Sequence, residues 1–133
     1  MGLRADMKIL VIDDMGTMRK IIKNMLAQMG FKNITEADDG KTALPMIEDS
    51  FKGGSPYEFI ISDWNMPEMS GLDLLKTLRG NDAYKKLPFL MVTAEAEQGN
   101  VMLAVKAGVD NFIVKPFSAT VLKEKIEKIF AKK

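Results

Sequence analysis

Five short apolar segments alternate along the chain with five longer segments whose apolar residues recur at helical spacing. The first apolar segment, residues 9–12 with the sequence ILVI, has no polar position, which is typical of a strand buried on both faces. Strands of this kind that alternate with helices form a parallel sheet covered by helices on both sides. The pattern therefore predicts an α/β fold, a doubly wound five-stranded parallel sheet with right-handed crossovers.

The predicted strands cover residues 7–12, 33–37, 57–63, 88–94 and 111–116. The predicted helices cover residues 17–30, 39–51, 71–79, 100–108 and 118–130. Pro45 falls inside the second helix and should kink it or belong to its first turns, and Ser118 is the expected N-cap of the fifth. A chain of 133 residues without an internal repeat predicts one domain over residues 1–133.

The composition excludes several kinds of chemistry. The chain has no cysteine and no histidine, so thiol nucleophiles, histidine-based triads and imidazole or thiolate metal sites are ruled out. Any metal would have to be a hard, oxygen-binding ion such as Mg²⁺. The 19 basic and 18 acidic residues give a net charge of +1, which provides no case for nucleic-acid or membrane-surface binding. A cytoplasmic protein is the simplest interpretation, since no segment is apolar enough to span a membrane.

Polar side chains stand at the ends of the predicted strands. Four of the five strands end on residues able to bind an ion or a phosphoryl group: Asp13 and Asp14, Asp63, Thr93, and Lys115. In open α/β sheets, ligands bind at the carboxyl edge of the strands, so these side chains should converge there. Adjacent carboxylates raise each other's pKa unless a cation neutralises them. We therefore expect a cation site shared by the aspartate pair and Asp63, although a solvated strand end would also explain the pair alone.

Four motifs in order, DD, DWNMP, TA and KPF, each close a predicted strand, and together they resemble the receiver domain of bacterial response regulators. The resemblance covers roughly residues 7–131, taken as the domain core, and its longer runs are similar to the stand-alone chemotaxis regulators of that family. It implies a flavodoxin-like (βα)5 fold with the strand order 2-1-3-4-5. It also implies a cis peptide bond between Lys115 and Pro116.

The resemblance implies a role for each residue of the site. Asp63 would accept a phosphoryl group from a histidine kinase, in a chain that is a phospho-acceptor assisting its own phosphorylation and dephosphorylation rather than an enzyme. Mg²⁺, or Mn²⁺ in its place, would be held by Asp14, Asp63 and the backbone carbonyl of Asn65, with Asp13 acting mainly through water. The phosphoryl oxygens would be bound by Thr93, the amide near Ala94, and Lys115. Hydrolysis would be tuned by Asn65 and Glu95.

The implied output surface is the face of helix four, strand five and helix five. Its expected residues are Phe112, Val101, Glu97, Gln98, Val114 and Lys125. The chemotaxis regulators carry a tyrosine where this chain has Phe112, and they tend to carry lysines where it has Glu97 and Gln98. Helix four is apolar around most of its circumference. We expect Met102 and Val105 to face the sheet, leaving Val101 and Leu103 either as a partner site or as part of an unusually buried helix.

The expected partners are a histidine kinase, the flagellar motor switch protein and a phosphatase, with the chain itself a monomer. One alternative is a phosphate sink or relay intermediate that does not bind the motor, which the changes at Phe112, Glu97 and Gln98 keep open. A phosphatase with an aspartate nucleophile would need an acid/base aspartate where Asn65 stands. A flavin-binding module would need a phosphate-binding loop where the acidic DDMGT segment stands.

Overall fold

The computed structural model describes residues 4–94 and 98–131. Its strands are β1 (Ile9–Ile12), β2 (Ile34–Ala37), β3 (Phe59–Asp63), β4 (Phe89–Thr93) and β5 (Asn111–Val114). Its helices are α1 (Gly16–Gln28), α2 (Gly40–Lys52), α3 (Gly71–Arg79), α4 (Gln98–Lys106) and α5 (Ala119–Ala131). Within these ranges, strands and helices alternate as the sequence predicts. None of the helices in the described ranges is long and apolar enough to cross a membrane.

The strands form one parallel sheet in the order β2-β1-β3-β4-β5, which confirms the predicted topology. Successive side chains of a strand point to opposite faces, so each strand contributes to two cores. Leu10, Ile12 and Ile60 belong to a core closed by α2 and α3, named here the α2/α3 core. Ile9 and Val11 belong to a second core closed by α1 and α5, the α1/α5 core. This double coverage explains why the three central strands, β1, β3 and β4, are buried at every position.

The element boundaries differ from the predictions at a few ends. β5 stops at Val114, so Lys115 and Pro116 lie beyond the strand, because Pro116 has no N–H with which to continue the ladder. The Lys115–Pro116 peptide bond is cis, as the resemblance implies. Pro45 lies inside α2, which runs from Gly40 to Lys52. Ser118 accepts a hydrogen bond from the N–H of Val121 at 3.2 Å, as expected of the N-cap of α5.

The orientation of α4 corrects one prediction. Met102 and Val105 do not face the sheet: they are 51% and 61% exposed, and Leu103 is 45% exposed. The buried residue is Ala104, which is 1% exposed, and Val101 is half-buried. A nine-residue helix with apolar side chains in nearly every direction has no periodicity from which its inner face can be read. Ala104 is therefore on the inner side of α4, and the larger residues Met102, Leu103 and Val105 point into solvent.

An ion pair joins three elements at the amino-terminal edge of the sheet. Arg79, at the end of α3, donates from Nε to the carbonyl of Gly108 at 2.9 Å and from Nη2 to Oδ2 of Asp110 at 3.1 Å. The same oxygen of Asp110 accepts the N–H of Phe89 at 2.8 Å. Both side chains of the pair are mostly buried, with 15% and 19% exposed. The pair therefore fixes the turn between α4 and β5 to α3 and to the start of β4.

We expect Asp110→Ala to lower the free energy of unfolding by about 2–3 kcal/mol, because it leaves a mostly buried guanidinium and a backbone N–H without this acceptor. Urea unfolding followed by circular dichroism measures the change. Asp82→Ala is the control, since that side chain is 99% exposed and its removal should cost less than about 0.5 kcal/mol. Equal stability of the two variants would contradict the structural importance of the Arg79–Asp110 pair.

Candidate functional site

The polar residues that end the strands meet at the carboxyl edge of the sheet. Asp13 and Asp14 follow β1, Asp63 is the last residue of β3, and these strands are hydrogen-bonded neighbours. One carboxylate oxygen from each of the three aspartates lies within 4.8 Å of the others. The structure thus brings together the acidic cluster that the sequence predicts. Three convergent carboxylates form a donor set suited to a hard divalent cation such as Mg²⁺.

Lys115 connects two of these aspartates. Its Nζ lies 3.3 Å from Oδ2 of Asp13 and 3.1 Å from Oδ1 of Asp63, and all three side chains are mostly buried. Burial and the charge of Asp13 raise the pKa of Asp63, while the hydrogen bond and charge of Lys115 act against that rise. Burial alone would lower the pKa of Lys115, but its hydrogen bond to Asp63 and the two carboxylate charges raise it. The ammonium is therefore kept charged beside Asp63.

The neighbouring aspartates differ in their surroundings. Asp13 is fully buried, and its Oδ1 accepts the N–H of Met15 at 2.9 Å. Its backbone carbonyl accepts from Nη1 of Arg19 at 2.7 Å. The side chain of Asp14 is exposed and lies at the surface of the site. Since both oxygens of Asp13 already have donors, Asp14 is the member of the pair that is accessible to an incoming ion.

The loop between β3 and α3 forms one wall of the site. The N–H of Trp64 donates to Val92 at 2.8 Å, and the N–H of Gly71 donates to the carbonyl of Trp64 at 2.9 Å. A Cβ on Gly71 would lie 2.2 Å from the carbonyl oxygen of Asp63, so only glycine allows α3 to start this close to β3. Beside the acidic cluster, a pocket of about 370 Å³ is lined by Asp14, Asn65, Met66, Pro67 and Ser70. Asn65 therefore lies next to the cluster.

The far side of the site is formed by the ends of β4 and β5. Thr93 is buried, and its carbonyl accepts the N–H of Lys115 at 2.8 Å, so the two residues are adjacent across the sheet. Ala94 is exposed and directly follows β4. Glu95, Glu97 and the side chain of Gln98 lie outside the described residues, so their predicted roles stay predictions. The predicted roles of Thr93 and Ala94 in binding phosphoryl oxygens also stay predictions, and the positions of both residues at the end of β4 are compatible with them.

The structure brings some residues of the predicted output surface together. Phe112 is half-buried against the α2/α3 core, and Nζ of Lys125 lies 5.2 Å from the centroid of its ring. Phe112, Val114 and Lys125 line one groove of about 330 Å³ together with residues of the β5–α5 segment. Among the described residues, that lining comes from β5, α5 and the segment between them, and Val101 of α4 is not part of it. The exposed apolar residues of α4, Met102, Leu103 and Val105, do not line this groove either.

Two residues of the site were not singled out by sequence reasoning. Arg19 lies on a helix whose pattern predicts only amphipathicity, yet it binds the carbonyl of Asp13 and pairs with Glu36 at 3.0 Å. Gly71 stands where a helix was predicted to begin, and nothing in a single sequence distinguishes a crowded glycine from a merely tolerated one. The roles of Arg19 and Gly71 both depend on contacts between segments that are distant in sequence.

The fold and the acidic site define a class of protein. The family model for the response regulator receiver domain matches residues 9–127, and the chain belongs to that family. Among curated proteins it is 55% identical to the chemotaxis protein CheY of Pseudomonas aeruginosa over 124 residues, which are 93% of this chain and 96% of that protein. It is 53% identical to CheY-3 of Vibrio cholerae over 128 residues, which are 96% of this chain and 95% of that protein.

Solved structures support the same classification. The chemotaxis protein CheY4 of Vibrio cholerae aligns with a TM-score of 0.82 and 29% identity, covering 93% of this chain and 98% of that one. A response regulator receiver domain protein of Clostridium thermocellum aligns with a TM-score of 0.80 and 26% identity, covering 94% of each chain. The protein is therefore a receiver domain that closely resembles CheY, consistent with a chemotaxis response regulator.

Proposed function

We propose that the chain is a stand-alone response regulator that accepts a phosphoryl group on Asp63 and then binds a chemotaxis partner through α4, β5 and α5. The observation that carries the proposal is the Asp63 carboxylate, held 3.1 Å from the Lys115 ammonium and within the cluster of Asp13 and Asp14. On this proposal the chain is a phospho-acceptor and does not turn over other substrates. The donor is the phosphohistidine of a separate kinase, since the chain has no histidine.

The phosphoryl transfer requires mainly that the reacting groups are correctly positioned and that the charge of the phosphoryl oxygens is stabilised. An oxygen of Asp63 attacks the phosphorus, the new O–P bond forms as the P–N bond breaks, and the bonding pair leaves with the imidazole of the donor. Lys115 opposes the rise in the pKa of Asp63 that burial and Asp13 cause, and it stands where the negative oxygens of the phosphoryl group would arrive. Thr93, adjacent to Lys115 across the sheet, supplies a hydroxyl for another oxygen. The chain thus contributes electrostatic stabilisation, and no general base is required.

The donor set fits a divalent cation. Asp14, Asp63 and the carbonyl of Asn65 would hold Mg²⁺, with Asp13 acting mainly through water and with Mn²⁺ as the expected substitute. Such an ion supplies neutralisation of the negative charge that develops during phosphoryl transfer. The exposed position of Asp14 and the pocket beside Asn65 support this assignment. The buried position of Asp13, with a donor on each oxygen, supports an indirect role for it.

Phosphorylation by a small-molecule donor tests the acceptor. Incubation with acetyl phosphate and Mg²⁺ should add the mass of one phosphoryl group, and chelation of the metal should prevent the gain. Borohydride reduction converts an aspartyl phosphate to homoserine, so peptide mass spectrometry can locate the modified residue. The proposal expects homoserine at position 63. Homoserine at another position, or no mass gain with metal present, would overturn it.

The output proposal rests on the groove of Phe112 and Lys125 and on the kinship with chemotaxis proteins. The proposed partners are a histidine kinase, the flagellar motor switch protein and a phosphatase, for a monomer in the cytoplasm. Phosphorylation adds roughly −1.5 to −2 charge at the site, which can draw the hydroxyl of Thr93 inward and favour burial of Phe112. A tenfold gain in partner affinity would require about 1.4 kcal/mol of differential binding between the two states.

Phe112→Ala should reduce that gain while leaving the phosphorylation of Asp63 intact, because the ring is part of the output groove and lies away from the acidic cluster. Calorimetry with a motor switch peptide, with and without beryllofluoride and Mg²⁺, measures the gain. Ile21→Ala on α1 is the control, since it also truncates an apolar side chain, which here is 42% exposed on another face. Efficient phosphorylation without peptide binding in either state would favour the phosphate-sink function instead.

A further inference from the structure

Asp39 makes more contacts than a helix cap requires. It is the N-cap of α2, and its Oδ1 accepts the N–H of Lys41 at 2.9 Å, as a capping residue does. The same oxygen also accepts the N–H of Met69 at 2.8 Å, and Oδ2 accepts the N–H of Glu68 at 3.0 Å. Glu68 and Met69 belong to the loop between β3 and α3, about thirty residues further along the chain. One buried carboxylate therefore binds the start of one helix to the loop before another.

The start of α2 and the β3–α3 loop also contact each other through their backbones. The N–H of Gly40 donates to the carbonyl of Met69 at 3.3 Å, and a Cβ on Gly40 would lie 2.7 Å from that oxygen. Burial alone would raise the pKa of Asp39, but the surrounding backbone N–H groups lower it, so the carboxylate is ionised and its hydrogen bonds are charge-assisted. Bonds of this kind are stronger than those between neutral groups.

The loop that Asp39 holds is the one that carries Asn65. At its start the loop is fixed by the hydrogen bond from Trp64 to Val92, and near its end by Asp39. Asn65 lies between these two anchors and lines the pocket that it shares with Asp14. Without the carboxylate of Asp39, this end of the loop would keep the bond from Gly40 to the carbonyl of Met69 at 3.3 Å but would lose both bonds from Glu68 and Met69. The position of Asn65, whose carbonyl the proposed function assigns to the cation, would then be less tightly fixed beside Asp14.

We infer that Asp39 is a positioning residue of the phospho-acceptor site, which holds the β3–α3 loop so that the Asn65 carbonyl is directed at the cation. The inference rests on the proposed function, because it assumes that the cluster of Asp13, Asp14 and Asp63 binds Mg²⁺. It assigns to the N-cap residue of α2, outside the four strand-end motifs, an indirect influence on the affinity of the site for metal.

Asp39→Ser separates the two roles of the side chain. Serine retains the ability to cap α2, but its short hydroxyl cannot reach the two loop N–H groups as well. We expect Mg²⁺ and Mn²⁺ to bind about five- to tenfold more weakly, measured by Trp64 emission for Mg²⁺ and by the paramagnetic resonance signal of the free ion for Mn²⁺. With acetyl phosphate, half-maximal phosphorylation should need correspondingly more Mg²⁺, while the rate at saturating Mg²⁺ stays near that of the parent.

Two further variants keep the test decisive. Asp39→Asn keeps an oxygen for Lys41 and Met69 and loses only the acceptor for Glu68, so it should weaken metal binding by a smaller factor and give a second measurement if the serine variant does not fold. Asp110→Ala is the matched control for stability, since it should destabilise the opposite edge of the sheet without changing the affinity for metal. An effect of Asp110→Ala on metal affinity equal to that of Asp39→Ser would reduce the role of Asp39 to general stability.

The outcomes distinguish this inference from the proposed function. If the parent protein binds metal and is phosphorylated, and Asp39→Ser and Asp39→Asn bind metal as tightly as the parent, the positioning role is wrong and the proposed function stands. If the parent binds no metal and is not phosphorylated on Asp63, the proposed function fails and the inference fails with it. A graded loss of metal affinity, with serine weaker than asparagine, supports the positioning role.

Discussion

Asp63→Asn is expected to abolish phosphorylation while leaving the protein folded. The amide is nearly the same size as the carboxylate, and its oxygen can still accept from Lys115, whose Nζ lies 3.1 Å from Oδ1 of Asp63. It has no negative charge with which to attack phosphorus, so the variant should show no mass gain with acetyl phosphate or with a phosphorylated kinase. A gain of one phosphoryl group on the variant would place the acceptor on another residue.

The same substitution should leave the free energy of unfolding equal to or higher than that of the parent. Burial and the charge of Asp13 raise the folded-state pKa of Asp63, against the opposing effect of Lys115, which means that the ionised carboxylate weakens the fold. The advantage of the asparagine should be fully present above the raised pKa and should shrink as the pH falls toward the pKa of unfolded aspartate. Urea unfolding of both proteins in a chelator at neutral and acidic pH measures the difference. A variant less stable than the parent at neutral pH would contradict this electrostatic argument.

Asp14→Ala should remove the response to Mg²⁺. The substitution deletes the exposed carboxylate of the cluster and leaves Asp13, whose two oxygens already accept from Met15 and Lys115. The parent should bind Mg²⁺ near the millimolar range, roughly −4 kcal/mol, as a site with few carboxylates that leaves the ion several waters. Trp64 directly follows Asp63 and is half-buried against the α2/α3 core, so its emission should report binding.

The control for this titration is Asp82→Ala, which removes one carboxylate from a side chain that is 99% exposed. It should titrate like the parent, because a general loss of negative charge from the protein surface is screened by salt. If Asp14→Ala titrates with the same midpoint as the parent, the metal site lies elsewhere. If both variants lose affinity equally, the response reflects overall charge and the acidic cluster has no special role.

The sheet could be predicted from sequence because burial on two faces leaves a direct signature. The continuous apolar segment at residues 9–12 and the similar segments of β3 and β4 have few alternatives to buried parallel strands. The orientation of α4 could not be predicted, since apolar residues occupy most of its circumference and only the packing of the folded chain buries Ala104. Periodicity identifies a helix face only when the opposite face is polar.

At the candidate site, too, sequence patterns locate some residues but do not reveal contacts that only the folded chain makes. Asp13, Asp14, Asp63 and Lys115 could be located because each stands at the end of a strand, and parallel strands share one edge. Asp39 was correctly read as the start of a helix, but its bonds to Glu68 and Met69 join segments about thirty residues apart. A local motif describes what a residue does for its own element. It does not reveal a second partner that only the folded chain supplies.

The bridge of Lys115 between Asp13 and Asp63 bears on the order in which the site can be filled. With all groups ionised, three carboxylates and one ammonium leave a net charge of −2, which equals in magnitude the charge of one divalent cation. Every phosphoryl donor is itself an anion, so it is repelled by the site until a cation is bound there. If the proposed function holds, this charge balance favours binding of the cation before the phosphoryl donor. In that order the donor meets an electrically neutral site, with an ammonium already beside the acceptor oxygen.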